Sequence, residues 1–152
     1  MEEKDIYLRQ AAPGDMDLLY QWRNDPACRE NSLGQGMVAY ESHCAWFQER
    51  LASEDCCIFI CMEGDSPVGQ VRVDYQGRDG KISYSVPEGC RGRGYGTQML
   101  GLLEQDAGVQ MRTASLYAIV KCNNTASQKC FEKLKYSKEC HDGYFLYRKA
   151  LH

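Results

Sequence analysis

The chain has 152 residues, a net charge of −3, and 26% charged against 43% hydrophobic residues, which reads as one domain long enough to bury about 70% of its unfolded surface. Without a basic excess, gripping a nucleic-acid backbone is excluded as its main task. No run reaches the length of a membrane span, and Met1-Glu2-Glu3-Lys4-Asp5 is acidic and polar, unlike a secretion signal.

Ile6-Tyr7-Leu8-Arg9 reads as a first strand, ended by Pro13-Gly14. Asp15 is placed to N-cap a helix carrying Leu18, Leu19 and Trp22 inward. That helix stops near Asn24-Asp25-Pro26, because the residue before proline avoids helix. Residues 28–39 show no period. A second helix from Tyr40 to Ala52 puts Tyr40, Cys44, Phe47 and Leu51 on one face, with His43, Trp46 and Arg50 on its neighbour. Cys56 to Met62 is a continuous apolar strand, and the turn Glu63 to Pro67 leads to Val68–Tyr75. There Val71, Val73 and Tyr75 alternate with Gln70, Arg72 and Asp74. A turn over residues 76–80 opens the strand Lys81 to Val86.

Next comes Arg91-Gly92-Arg93-Gly94-Tyr95-Gly96, after the breakers Pro87 and Gly89. From Thr97 to Ala107, Met99, Leu103 and Ala107 recur at helical spacing. A fifth strand, Ala114 to Val120, follows. Asn124 caps or precedes a helix with Ala126, Cys130 and Leu134 on one side, Ser127 and Phe131 beside them. Tyr136 to Cys140 and Tyr144 to Lys149 are two last strands flanking Asp142-Gly143. The nine cysteines contain no Cys-x-x-Cys pair, and several occupy apolar positions. They read as small buried hydrophobes of a reduced, cytoplasmic protein, with structural zinc the less favoured alternative and no metal expected.

Three glycines in five residues, between a strand and a helix, let the backbone approach a ligand and align successive N–H groups. The helix start adds its own amides and positive dipole end. The stretch is therefore predicted to bind a diphosphate, with Arg91 and Arg93 lending charge at the rim. The alternative is a plain glycine-rich turn with solvated arginines. A dinucleotide fingerprint fails in both frames, since a glycine at the sixth place is replaced by Thr97 or Met99.

What the stretch does resemble is the Gln/Arg-x-x-Gly-x-Gly/Ala signature of GNAT superfamily N-acetyltransferases, with Arg91, Gly94 and Gly96 in the defined places. The order of elements matches that family end to end. The resemblance implies an α/β (α+β) fold: one mixed, mostly antiparallel sheet of about seven strands with four helices, and fourth and fifth strands splayed around a pantetheine arm. It implies acetyl-CoA as donor, with Ser85, Val86, Arg91, Gly92, Arg93, Gly94, Tyr95, Gly96, Thr97, Asn124, Ser127 and Phe131 as its binding residues. Tyr84, Ser85 and Val86 would line one side of the gap, and Tyr117, Ile119 and Val120 the other.

Acetyl transfer needs a neutral amine, and about one in 2,500 lysine-like amines is neutral at pH 7. A base must take the proton, preorganised donors must hold the oxyanion, and an acid must protonate the thiolate. Two positions depart from the family. Lys81 stands near a glutamate common on the fourth strand, and Phe131 replaces the tyrosine that often acts as acid. Tyr84 is the remaining candidate acid; Asp74, His43 and Glu41 are candidate bases. Tyr84 reads equally well as a core tyrosine, Asp74 as half of an exposed pair with Arg72, and His43 as a packed or solvated histidine.

The segment Leu18 to Pro26, then Arg29, Asn31, Glu41-Ser42-His43 and Trp46-Phe47, resembles the branch that acetylates a 4-amino group on a UDP-linked sugar in pseudaminic acid biosynthesis. It implies Trp22, Arg23, Asn24, His43 and Trp46 as acceptor-binding residues. The alternative places Trp22 in the core and Arg23 as a helix C-terminal cation. Polyamine and protein N-acetyltransferases share a similar N-terminal layout, and a non-catalytic acyl-CoA-binding module remains a further alternative. The expected partner is a small-molecule amine, with neither nucleic acid nor membrane, and a homodimer stays open.

Overall fold

The computed structural model describes residues 5–26, 28 and 37–151. The expectations for Arg29, Asn31, most of the 28–39 run, His152 and residues 1–4 lie outside these. The elements are β1 (Ile6–Gln10), α1 (Met16–Arg23), α2 (Tyr40–Ala52), β2 (Cys56–Glu63), β3 (Ser66–Gln76), β4 (Asp79–Ser85), α3 (Tyr95–Gln105), α4 (Ala107–Arg112), β5 (Ser115–Lys121), α5 (Thr125–Lys133), β6 (Ser137–His141) and β7 (Tyr144–Ala150). One sheet of seven strands runs β1-β2-β3-β4-β5-β7-β6. Every pairing is antiparallel except β4 with β5.

β2 is apolar from Cys56 to Met62 because both faces of the sheet are covered there. Side chains alternate across a strand. Cys56, Ile58, Ile60 and Met62 join Leu19 of α1 and Phe47 of α2 in one cluster. Phe59 and Cys61 face the other way, onto Val71, Val73, Met99, Leu103 and Phe131. Full burial of each such isoleucine or phenylalanine contributes roughly 1.5–3 kcal/mol. The same alternation in β3 turns Gln70, Arg72 and Asp74 toward the α1/α2 side.

β4 and β5 pair only at Asp79–Ser115, Gly80–Leu116 and Lys81–Tyr117. Beyond that, β4 stays bonded to β3 as far as Ser85 and β5 to β7 as far as Lys121. Their facing edges are left without a ladder, and this is the expected splay. Gly80 closes the fork: a Cβ there would stand 2.8 Å from Val73 and 2.9 Å from Leu116.

Several expectations are corrected. The 97–107 helix is two helices, α3 and α4, making five among the described residues; Asp106 turns extended (ψ 126) and its carboxylate accepts the Val109 amide, capping α4. Ala107 is exposed, and Val109 takes the buried place. Asp15 precedes α1 but does not cap it: its carboxylate takes the Ala12 amide and the Arg9 guanidinium, both at 2.8 Å. The buried face of α2 centres on His43 and Phe47, whereas Tyr40 is exposed and donates to Asp17. Tyr117 does not line the gap, because it lies in the paired part of the fork and its hydroxyl donates to Gln76.

Candidate active site

The glycine turn is built as its spacing demands. Gly92 and Gly94 have φ of 76° and 82°, a region that costs other L-residues roughly 1–2 kcal/mol. A Cβ on Gly92 would meet nothing within 4 Å, so the space above the turn is open. Gly94 is the N-cap of α3, with no capping side chain, and its carbonyl accepts the Gln98 amide. The amides of Gly96 and Thr97 precede that bond and have no acceptor inside the helix. Gly96 is small for another reason: a Cβ would sit 3.3 Å from Cys130 Sγ and 3.4 Å from Tyr84. Open space, aligned amides and a helix start fit a diphosphate.

The arginines behave differently from the sequence expectation. Arg91 Nε donates to the Val86 carbonyl (2.9 Å), and its Nη2 pairs with Asp25 at 2.5 Å. It braces the turn against the end of α1 rather than offering free charge. Arg93 is exposed and does not line the cavity. The Tyr95 ring is core, 3% exposed, with its hydroxyl on Glu63.

From the turn, a cavity of about 600 Å³ runs through the splay to the α1/α2 side. Ser85, Val86, Ile119, Val120, Asn124, Ser127 and Phe131 line its part between β4, β5 and α5. The Tyr84 hydroxyl lies 2.7 Å from Ser127 Oγ. Asn124 fixes that serine twice, accepting its amide at 3.2 Å and donating to its hydroxyl at 3.2 Å. Burial pushes the Tyr84 phenol well above its ordinary range, so it stays protonated. Phe131 is fully buried among Tyr84, Tyr136 and Tyr147.

The far half is lined by Trp22, Arg23, His43, Trp46, Gln70, Arg72, Lys81 and Ser83. His43 is fully buried; its Nε2 lies 3.0 Å from the Met16 carbonyl, which makes that nitrogen the donor. Its Nδ1 has no partner among the described residues. Burial lowers its pKa, leaving a neutral imidazole stacked on Phe47. The guanidinium carbons of Arg23 and Arg72 lie 4.6 and 5.1 Å from the Trp46 ring centroid.

Besides Arg93, three predicted residues are not brought to this cavity. Glu41 is exposed. Asp74 is held by Arg72 (2.9 Å) and Arg50 (3.4 Å). Asn24 is spent on both backbone groups of Val38. Conversely, Gln70, Arg72, Ser83, Cys28, Cys90 and Cys130 line the cavity without having been singled out as site residues. For Gln70 and Arg72 the signal was the polar phase of β3, which a strand pattern alone assigns to solvent. Among the described lining residues are Arg23, Arg72, Lys81 and Arg91, and no aspartate or glutamate. Among the described residues, no group of three or more His, Cys, Asp or Glu could hold a metal ion, and no helix is long and apolar enough to cross a membrane.

A family model described as acetyltransferase (GNAT) domain matches residues 5–137. Among solved structures, the chain is similar to a domain from Methanocaldococcus jannaschii (22% identity, TM-score 0.82, covering 97% of this chain and 99% of that one). It is also similar to a spermidine N-acetyltransferase from Vibrio cholerae in complex with CoA and spermine (12%, TM-score 0.83, 95% and 93%). A ribosomal L7/L12 α-N-protein acetyltransferase in complex with coenzyme A aligns too (14%, TM-score 0.84, 97% and 95%). No curated protein matches the sequence at a significant level.

Proposed function

The chain belongs to the GNAT acetyltransferase family, with acetyl-coenzyme A as donor, and from that premise we propose that its acceptor is an amine on a negatively charged small molecule, best fitted by the 4-amino group of a UDP-linked amino sugar. One observation carries the reading: among the described residues, the cavity is lined by cations and by no carboxylate. A polyamine would bring several positive charges to that wall and meet like charge, which costs rather than contributes binding energy. A nucleotide sugar brings phosphates to Arg23, Arg72 and Lys81, and flat rings to Trp22 and Trp46.

The residues divide the work along the cavity. The Gly92–Thr97 turn and the start of α3 hold the donor's diphosphate, and the unpaired edges of β4 and β5 take its arm. The amine, deprotonated by water, forms the new C–N bond, and backbone amides at the fork stabilise the oxyanion. As the C–S bond breaks, Tyr84 gives its proton to the leaving thiolate and regains one through Ser127. His43, sealed and neutral, positions the Phe47 and Trp46 rings; Asp74 positions Arg72.

Thiol release tests this with acetyl-CoA and three acceptors: a UDP-linked 4-amino sugar, spermidine, and a peptide with a free N-terminus. The amino sugar is expected to exceed spermidine in kcat/KM by at least about tenfold. Turnover of spermidine or the peptide alone would overturn the acceptor assignment.

A further inference from the structure

We propose that Arg23 and Arg72, resting together on the Trp46 indole, form the subsite that binds the acceptor's phosphate groups and sets the reach of its amine into the splay. This rests on the acceptor reading above and adds a place and a ligand chemistry to it.

Both guanidiniums stack on one indole, at 4.6 and 5.1 Å from its centroid, which fixes their planes without neutralising them. Neutralisation is short. Asp74 is shared by Arg72 and Arg50, and Lys81 faces Asp74 in register from β4. Arg23 Nη1 is buried and has no acceptor among the described residues. Among the described residues, the charged groups acting on Arg23 are Arg72 and the Cys28 thiol, and neither supplies a carboxylate. His43, packed beside Trp46, is neutral near pH 7.

Among the described residues, the lining cations Arg23, Arg72 and Lys81, with Arg50 behind them, outnumber by three the one carboxylate paired with them, Asp74. Half-buried charge of one sign destabilises a fold unless an anion completes it. A diphosphate supplies at least two negative charges and paired oxygens that match the planar forks of arginine; one carboxylate supplies a single charge. The glycine turn draws on other residues, and its own arginine, Arg91, is already paired with Asp25. The glycine turn and this cationic pair are thus two separate sets of anion-binding groups in one cavity.

Uridine diphosphate and inorganic pyrophosphate, titrated calorimetrically into protein saturated with coenzyme A, test the subsite without chemistry. The wild type should bind uridine diphosphate; Arg23→Gln and Arg72→Gln should each weaken it by about 10- to 100-fold. Arg23→Lys should recover part of the loss, and coenzyme A affinity should stay within about twofold in all three. No binding to wild type, equal binding to both glutamine variants, or a parallel loss of coenzyme A affinity would overturn the proposal. Pyrophosphate binding with the same arginine dependence supports a phosphate site rather than a nucleoside site. The acceptor reading fails separately: arginine-dependent binding without acetylation of the amino-sugar nucleotide keeps the subsite and removes that acceptor. Acetylation with a KM unchanged in Arg23→Gln does the reverse.

Discussion

At the scale of single residues, the proposed chemistry rests on one hydroxyl. Tyr84 projects from β4 toward α5, bonds Ser127, and is held protonated by burial. Tyr84→Phe removes the acid while keeping the ring against Phe131. The expected result is a fall in kcat of about 100-fold with the acetyl-CoA KM within about twofold. Undiminished kcat would assign the proton to water. The sign of its shift also matters. A raised phenol pKa keeps the acid form populated past its ordinary value of 10.0, so Tyr84 should impose no alkaline loss of kcat below about pH 9.5. Of this geometry, the sequence showed Asn124 at the start of its helix, whereas the meeting of Tyr84 with Ser127 is made by the fold. The sequence did not show that Arg91 would be consumed by Asp25, because the two are brought together only by the fold.

At the scale of elements, the sheet was legible wherever local pattern and tertiary burial agreed. β2 read as a strand because the unbroken apolar run from Cys56 to Met62 needs cover on both faces. The boundary of α3 did not read, since Ala107 continues the apolar period and only the Asp106 cap breaks it. The phase of α2 slipped for a related reason: a histidine was given to the polar side, and burial in the fold claimed it. The acceptor wall was hidden in β3, whose polar phase faces a cavity rather than water. The β2 thiols carry a testable consequence. Burial raises Cys56 to about 12, and Cys57 and Cys61 to about 11, from 9.0. The folded chain keeps protons that the unfolded chain releases above pH 9.0, so their contribution is complete below that pH and is lost as pH climbs toward the folded values. The melting temperature should hold steady to about pH 8.5 and then fall by roughly 5 °C by about pH 10.5. A flat profile would show that these thiols ionise freely in the fold. The turn before α3 gives a second test. Gly94→Val puts a branched side chain at φ 82° and should raise the acetyl-CoA KM by more than about tenfold while the far-UV spectrum is kept. An unchanged KM would place the donor's diphosphate elsewhere.

Across the whole molecule, the two halves of the cavity belong to different layers: α1 and α2 bring the proposed acceptor wall, α3 and α5 the proposed donor wall, and the fork of β4 and β5 lies between them. Layers so arranged need a tie near the mouth. Asp25, just past α1, provides one by accepting from Arg91 at 2.5 Å and from the Cys28 amide at 3.1 Å. Its side chain is 14% exposed against 37% for the arginine, so the pair is sheltered on one side only. It is therefore worth on the order of 1 kcal/mol, more than a fully solvated ion pair and less than a buried one. That energy reaches the donor site because Arg91 also holds the Val86 carbonyl, at the last residue before the turn over 87–94. Asp25→Asn keeps the shape of the side chain and removes its charge. Although Asp25 lines neither half of the cavity, the change should raise the acetyl-CoA KM by about three- to tenfold with kcat nearly unchanged. Arg91→Gln should do at least as much. The double variant should cost less than the product of the two, because each removes the same contact. If the effects multiply instead, the bond does not transmit, and the α1 end and the glycine turn bind their ligands independently.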